Sequence, residues 1–401
     1  MKTSRKRNEK RTGRMMSVFS VFLLLFSCAA ASDNSAPDDS YITEDITDPL
    51  YLEYAGYFPV GAAIDSGSYK DAHTYLLEKH FNSVVCENEM KWEALQPTQG
   101  NFDFTVADRM VDYAEENNML IRGHCLVWHR QTPDWVFQGS PMTKEVLIGR
   151  IQDHITAVMT HYKGRIYAWD VVNEAITGNT AAGEEAGEDL SLVVSWGYRN
   201  SDFYKICGED YIIEAFRAAR AADPDAKLFY NDYWNYLDDK RAAIISMIAD
   251  LRAENLIDGV GLQCHLNIGV AQEKLTNQTV YQTPENLERE IQEYAALGLE
   301  VHITELDISI YRRDYTSGDT SEWYTEDELN EEYSGLLADR YEEFFEMFRN
   351  NGSLIDNVTF WGIADDNTWL SEFDSGRPDH PLLFDKRLRA KEAFFAITDF
   401  E

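Results

Sequence analysis

Tyr167-Ala-Trp-Asp-Val-Val-Asn-Glu-Ala-Ile176 is a short apolar, β-favouring run that ends on an amide and a carboxyl side chain. Glu300-Val-His-Ile-Thr-Glu-Leu-Asp307 has the same build. Runs of this kind read as buried strands. Working outward from them, further strands are predicted at Pro59–Ala63, Asn82–Cys86, Leu120–His124, Ala226–Tyr230, Gly259–Gln263 and Val358–Gly362, beside Tyr167–Val172 and Glu300–Thr304. Helical periodicity fills the spaces between them, at Thr105–Asn117, Lys144–Tyr162, Asp210–Ala222, Lys240–Glu254, Pro284–Leu297, Tyr333–Asn350 and Leu388–Ile397. Strand alternating with helix predicts a parallel sheet. Eight such units within 401 residues predict an α/β fold, a closed (β/α)8 TIM barrel forming one catalytic domain over 49–401.

A barrel of this type collects its functional side chains at the C-terminal strand ends. Those ends carry Glu87 and Asn88, His124, Asn173 and Glu174, Asn231 and Asp232, Gln263 and His265, Glu305, and Trp361. A pair of carboxyls at one barrel mouth suits glycosidic bond cleavage, in which one protonates the leaving oxygen and the other attacks or activates water. Glu305 and Asp307 alternate on a strand and lean to one face. His265 between them would hold Glu305 ionised and in one rotamer, as a nucleophile requires. Glu174 is the candidate acid, and a neighbouring charged Glu305 and partial desolvation predict a raised pKa for it. Asn173 beside it suits a sugar 2-hydroxyl. Trp128, Tyr233, Trp234, Trp361 and Trp369 fall in or near strand-end loops, where aromatic faces stack on sugar rings. Lys91 adds a cation for hydroxyl groups. The bland readings of the same residues are a structural Glu-His-Asp network, a cap at Asn173-Glu174 and core tryptophans; the pairing of Glu174 with Glu305 favours chemistry.

The net charge is −34, from 36 Lys and Arg against 70 Asp and Glu. That field disfavours nucleic acid and anionic membranes but not a neutral polysaccharide. Residues 1–31 have the order of a secretory signal: a basic stretch from Lys2 to Arg14, an apolar core from Val18 to Phe26, then small residues. Cleavage near Ala29-Ala-Ala31 would release a secreted, extracellular protein. Leu25-Phe-Ser-Cys28 offers the alternative of a cell-surface lipoprotein held at the membrane through Cys28. Residues 32–48 read as an acidic linker. Cys86, Cys125, Cys207 and Cys264 match no zinc or redox spacing, so they read as buried thiols, with one disulfide left open. No phosphate loop, metal-ligand spacing or serine elbow is present in the sequence, so neither cofactor nor metal is expected.

The chain resembles glycoside hydrolase family 10, the (β/α)8 endo-β-1,4-xylanases, from about Phe58 to Ile397. The resemblance rests on ordered motifs: Phe81-Asn-Ser-Val-Val-Cys-Glu-Asn-Glu-Met-Lys-Trp-Glu93, Gly123-His-Cys-Leu-Val-Trp-His-Arg-Gln-Thr-Pro-Asp-Trp135, Trp169-Asp-Val-Val-Asn-Glu-Ala175, Tyr230-Asn-Asp-Tyr233, Gly261-Leu-Gln-Cys-His265, Ile303-Thr-Glu-Leu-Asp307, Phe360-Trp-Gly362 and Pro381-Leu-Leu-Phe-Asp385. It implies hydrolysis of internal xylan linkages by retaining double displacement through a covalent glycosyl-enzyme, with Glu174 as acid/base and Glu305 as nucleophile. It implies that Asn173, His124, Trp128, Gln263 and His265 surround the sugar at the cleavage point, with Asp307 supporting. Glu87, Asn88, Lys91 and Gln131 would bind sugars on the non-reducing side, Tyr233 one on the leaving-group side, and Trp361 and Trp369 would form roof and wall. Xylan and xylo-oligosaccharides are the implied partners, with no protein partner. The chain departs from the family pattern at Thr177–Gly197, an acidic insertion after the acid motif, in the segment from Tyr311 to Glu332, and after Asp385. Two other readings stay open: a barrel glycosidase for cellulose or mixed-linkage glucan, and a polysaccharide-binding protein with a dead site.

Overall fold

The computed structural model describes residues 48–70, 72–183, 185–186, 192–268, 282–311, 324–326, 328–373 and 376–400. The expected signal over 1–31 and all but the last residue of the expected linker over 32–48 lie outside them, as do parts of the Thr177–Gly197 insertion and of the segment after Tyr311.

Eight strands form the barrel: β1 Val60–Ile64, β2 Ser83–Cys86, β3 Leu120–Trp128, β4 Ala168–Asn173, β5 Lys227–Asp232, β6 Gly259–Leu262, β7 Glu300–Ser309 and β8 Asn357–Phe360. Each pairs in parallel with the next, and β8 returns to β1 through Val60 opposite Val358, which closes the ring. One principal helix follows each strand: α1 His73–His80, α2 Thr105–Glu116, α3 Lys144–His161, α4 Asp210–Ala222, α5 Asp238–Met247, α6 Pro284–Ala296, α7 Glu331–Asn350 and α8 Glu392–Thr398. Strands covered on both faces read as near-continuous apolar runs; β2 and β6 are buried at every position. The helix starts are set by side chains that take up a free N–H: Thr143 for α3, Thr283 followed by Pro284 for α6, and Asn330 for α7.

The predicted barrel and its eight strands are present, with differences that bear on the site. β3 continues past His124 to Trp128, and β7 past Thr304 to Ser309. In both the register slips, between His124 and Val127 and between Ile303 and Leu306, and β4 slips between Asp170 and Val172. Such bulges re-aim side chains at a barrel rim. They let β7 run on to pair with His265–Asn267, so Glu305 sits at an irregularity inside a strand instead of at its end. The predicted Lys240–Glu254 helix divides into α5 and a short helix Ala249–Ala253. The predicted Leu388–Ile397 helix starts only at Glu392, because Leu388 adopts φ +60° in a turn in which Asp385 and Arg389 exchange hydrogen bonds.

The barrel interior holds a buried polar ladder. Asn357 donates to Ser83 (3.1 Å) and Tyr167 (3.1 Å), and Thr359 donates to Asn357 (2.6 Å). Arg122, fully buried, forks onto Asp170 at 2.7 and 3.3 Å and donates to His302 at 3.1 Å. A buried guanidinium is tolerated only with such pairing. Burial pushes the Asp170 carboxyl up, but Arg122 and His124 outweigh it and hold it low. Cys86, Cys125, Cys207 and Cys264 are all buried free thiols. Among the described residues no helix is long and apolar enough to cross a membrane.

The barrel is tight at Gly259. A Cβ there would lie 2.6 Å from the Glu300 carbonyl oxygen and 2.3 Å from the Phe229 ring. Gly259→Ala is therefore expected to destabilise the fold by about 1–3 kcal/mol, read as a lower urea midpoint with an unchanged slope. An unmoved midpoint would contradict this packing.

Candidate active site

Glu174 follows β4 directly and takes a left-handed backbone conformation, φ +57°. For a residue with a Cβ this costs on the order of 1–3 kcal/mol, and it persists only where its surroundings hold it. Here they do. The Glu174 N–H donates to the Asn231 carbonyl (2.9 Å), and the Glu174 carbonyl accepts from Arg199 Nε (2.9 Å). The next two amides, of Ala175 and Ile176, both donate to Tyr230 Oη at 2.9 and 3.2 Å. Tyr230 in turn donates to Asp232, which Lys240 neutralises at 2.8 Å with both side chains wholly buried. Gln131, Trp234 and Cys264 share positive φ, so four of the seven such non-glycine residues described stand at this rim. At Cys264 (φ +60°) the left-handed turn falls between Gln263 and His265, both of which reach the site carboxylates.

Glu174 and Glu305 belong to one hydrogen-bonded lattice. Asn231 Nδ2 donates to Glu305 Oε1 (2.7 Å) and to Asn173 Oδ1 (3.0 Å), while the Asn231 side-chain oxygen Oδ1 accepts from Thr304 (2.7 Å). Gln263 Nε2 donates to Glu174 Oε1 (3.0 Å) and reaches Asn173 Oδ1 at 3.4 Å. Asn173 Nδ2 lies 3.4 Å from Glu174 Oε1. On the far side of Glu305, His265 Nε2 is 3.2 Å from Oε2, and His265 Nδ1 is 3.0 Å from Asp307 Oδ2. The Trp369 indole donates to that same Asp307 oxygen at 2.8 Å. Each of the two carboxylates is thus held by side chains from other strands.

The charges follow from these contacts. Burial opposes a charged His265, but Asp307 and Glu305 outweigh it and lift the imidazole to about 10, so it donates from both nitrogens. Glu174 departs from expectation. Burial pushes its carboxyl up, but His129, Gln263 and Arg199 together bring it below the ordinary value. Burial drives His129 down to about 4, so above that pH it is neutral and its pull on Glu174 fades. Gln263 and Arg199 remain, and these favour the carboxylate in the substrate-free chain. The sequence-based expectation of a raised value rested on Glu305 and on desolvation; burial does push the value up, but these donors outweigh it.

The remaining predicted residues fall into groups. Asn88 Oδ1 accepts from Lys91 (3.0 Å) and Gln131 (3.1 Å), and the Lys91 ammonium lies 4.9 Å from the Trp128 ring centre. Glu87 adjoins them, and burial raises its carboxyl to about 7. His124 bonds Asp170 at 3.0 Å and meets the edge of Trp361. Trp361 is only 7% exposed and packs with Ala63, Val85 and Trp369. The Tyr233 hydroxyl accepts from Arg199 (2.8 Å) and its ring covers Lys240 at 3.8 Å. Sequence reasoning put Asn231 at a strand end without a role, and did not single out His129, whose Nδ1 is 3.9 Å from Glu174 Oε2, or Arg199. Only Asn231 carried a signal, its place at a barrel strand end.

Asn231 is the shared donor of the lattice. Asn231→Ala is expected to slow glycoside hydrolysis about a hundredfold through misplacement of Glu305, measured as kcat on a folded variant. A wild-type kcat would mean that His265 alone positions Glu305.

The profile of Glycosyl hydrolase family 10 matches residues 50–400. The Beta-1,4-xylanase of Dictyoglomus thermophilum is 42% identical over 353 residues, covering 86% of this chain and 89% of that protein. The crystal structure of xylanase B from Clostridium stercorarium F9 superposes with a TM-score of 0.77 at 38% identity, covering 88% of this chain and 100% of that one. A mutant solved in complex with xylotriose matches at a TM-score of 0.76 and 39% identity, with 88% and 100% covered. Several longer relatives, an exoglucanase of Acetivibrio thermocellus among them (39% identical), are covered over 30% of their length or less. Barrel, motif order and these matches agree: the chain belongs to glycoside hydrolase family 10.

Proposed function

We propose that this protein is an endo-1,4-β-xylanase that cleaves internal xylosidic bonds of xylan with retention of configuration. The observation that carries the proposal is the shared lattice in which Asn231, Asn173 and Gln263 link Glu174 to Glu305. The substrate class draws support from relatives named xylanases and from a neighbour holding xylotriose.

In this reading the Glu305 carboxylate attacks the anomeric carbon while the bond to the leaving sugar breaks and Glu174 gives its proton to the departing oxygen. A glycosyl ester on Glu305 results. Water then attacks the same carbon, Glu174 takes its proton, the ester bond breaks and the Glu305 carboxylate returns. Asn231 and the His265 imidazolium grip one oxygen each of Glu305, which limits its rotation and supports its charge. Asn173, between the two arms, suits the sugar 2-hydroxyl. Glu174 must enter the first step protonated. Sugar binding strips water from a carboxyl that burial already pushes upward, so the bound state favours the proton more than the free chain does. The cluster of Glu87, Asn88, Lys91 and Gln131 supplies polar contacts on the non-reducing side. The leader over residues 1–31 supports a secreted protein, or a surface lipoprotein if Cys28 is acylated.

Glu305→Ala should abolish release of reducing sugar from xylan in a protein that still unfolds cooperatively. Glu174→Ala should lose about 10²–10⁴ in rate on xylan but far less on an aryl xyloside whose leaving group needs no proton. Undiminished turnover of Glu305→Ala, equal losses on both substrates for Glu174→Ala, or faster cleavage of carboxymethyl-cellulose than of xylan by the wild type would each contradict the proposal.

A further inference from the structure

Among the described residues, Arg199 links the insertion after the acid motif to Glu174. The insertion's described part is a hairpin, Ile176–Asn179 antiparallel to Ser195–Tyr198, and Arg199 follows immediately. Arg199 is 8% exposed and spends its three nitrogens on three different elements. Nε donates to the Glu174 carbonyl (2.9 Å), Nη1 to Glu185 Oε2 (2.8 Å) and Nη2 to Tyr233 Oη (2.8 Å). The Arg199 N–H completes the hold by donating to the Ala175 carbonyl at 2.7 Å. Glu185 lies within the insertion, and its second oxygen accepts from the Asn200 amide (3.0 Å), so it fixes the strand end that bears Arg199.

We propose that Arg199 is a positioning residue for Glu174, set by the Glu185 carboxylate of the insertion, and that it ties the acid to the leaving-group side of the cleft through Tyr233. The proposal rests on the xylanase reading above. A planar guanidinium suits this role because it bonds in three directions at once, which an ammonium cannot do. Its pull on Glu174 is both mechanical and electrostatic. It secures a left-handed backbone that has no intrinsic stability, and it adds a positive charge beside the carboxyl. Also facing Glu174 are Asn173 beside it, Trp128 at the end of β3 and His129 after it, Asp232 and Tyr233 at the end of β5, Lys240 on α5 and Gln263 at the end of β6. Of these, Asp232 and Lys240 neutralise each other, and His129 is uncharged above about pH 4. Among these residues, Arg199 is therefore the cation that acts on Glu174 at working pH.

The test compares Arg199→Ala, Arg199→Lys and Glu185→Ala on xylan and on an activated aryl xyloside, across pH. Arg199→Ala should cut kcat on xylan about a hundredfold, cost much less on the aryl substrate, and move the alkaline limb of kcat/KM to higher pH, because loss of the cation lets the Glu174 carboxyl hold its proton longer. Arg199→Lys should retain the wild-type limb while still losing kcat on xylan. Glu185→Ala removes a partly exposed side chain, so folding is safe; it should lower kcat on xylan with KM unchanged. Equal losses on both substrates with an unmoved limb would reduce Arg199 to a structural brace and overturn the proposal, as would a Glu185→Ala variant with wild-type kcat. The Glu305→Ala control keeps the two ideas apart: its inactivity upholds the reading whatever Arg199 does, and a wild-type chain inert on xylan would sink both.

Discussion

One amide holds the site together. Asn231 Nδ2 bonds a nucleophile candidate from β7 and a neighbour of the acid candidate from β4, while its oxygen is fixed by Thr304. Two carboxylates in one cleft repel, and each would find water more comfortable than a buried wall. Fixed donors make their proximity tolerable, and the barrel supplies them from strands that cannot move independently. Gly261 makes room for this arrangement: a Cβ there would lie 2.3 Å from the Asn231 side-chain oxygen.

The same principle extends below the cleft. Arg122, Asp170 and His124 climb the barrel interior as a paired series, and His124 meets Trp361 at the mouth. On the acid side, Tyr230, Asp232 and Lys240 lock the amides after Glu174. A barrel filled only with aliphatic side chains would pack as well but would leave the rim residues free to choose rotamers. The polar interior trades some stability for directional control, and the left-handed Glu174 backbone shows where that control is applied.

The fold was legible because parallel barrel strands are buried on both faces. Gly259-Val-Gly-Leu262 stands out as an apolar run wherever it is met, and its neighbours repeat the pattern. The strand extensions to Trp128 and Ser309 were not legible, since a bulge is a slip in pairing that leaves no mark in a single sequence. The contact of His265 with Glu305 and Asp307 was legible, because the types and spacing of these residues already imply that they meet. Arg199 was hidden because it meets Glu174 across a hairpin, at a separation of 25 residues with no periodicity to betray it. The ionisation of Glu174 was misjudged for the same reason: Gln263 and Arg199, which pull it down, reach it only in three dimensions.

The central proposal is that Glu305 and Glu174 flank one linkage at the short spacing that direct attack and proton donation require. That spacing decides stereochemistry, because attack by a carboxylate inverts the anomeric centre twice, whereas attack by water inverts it once. Proton NMR of a xylo-oligosaccharide digest, recorded before mutarotation, reads the outcome directly. The account requires the β-anomer as the first product; an α-anomer formed first would contradict it.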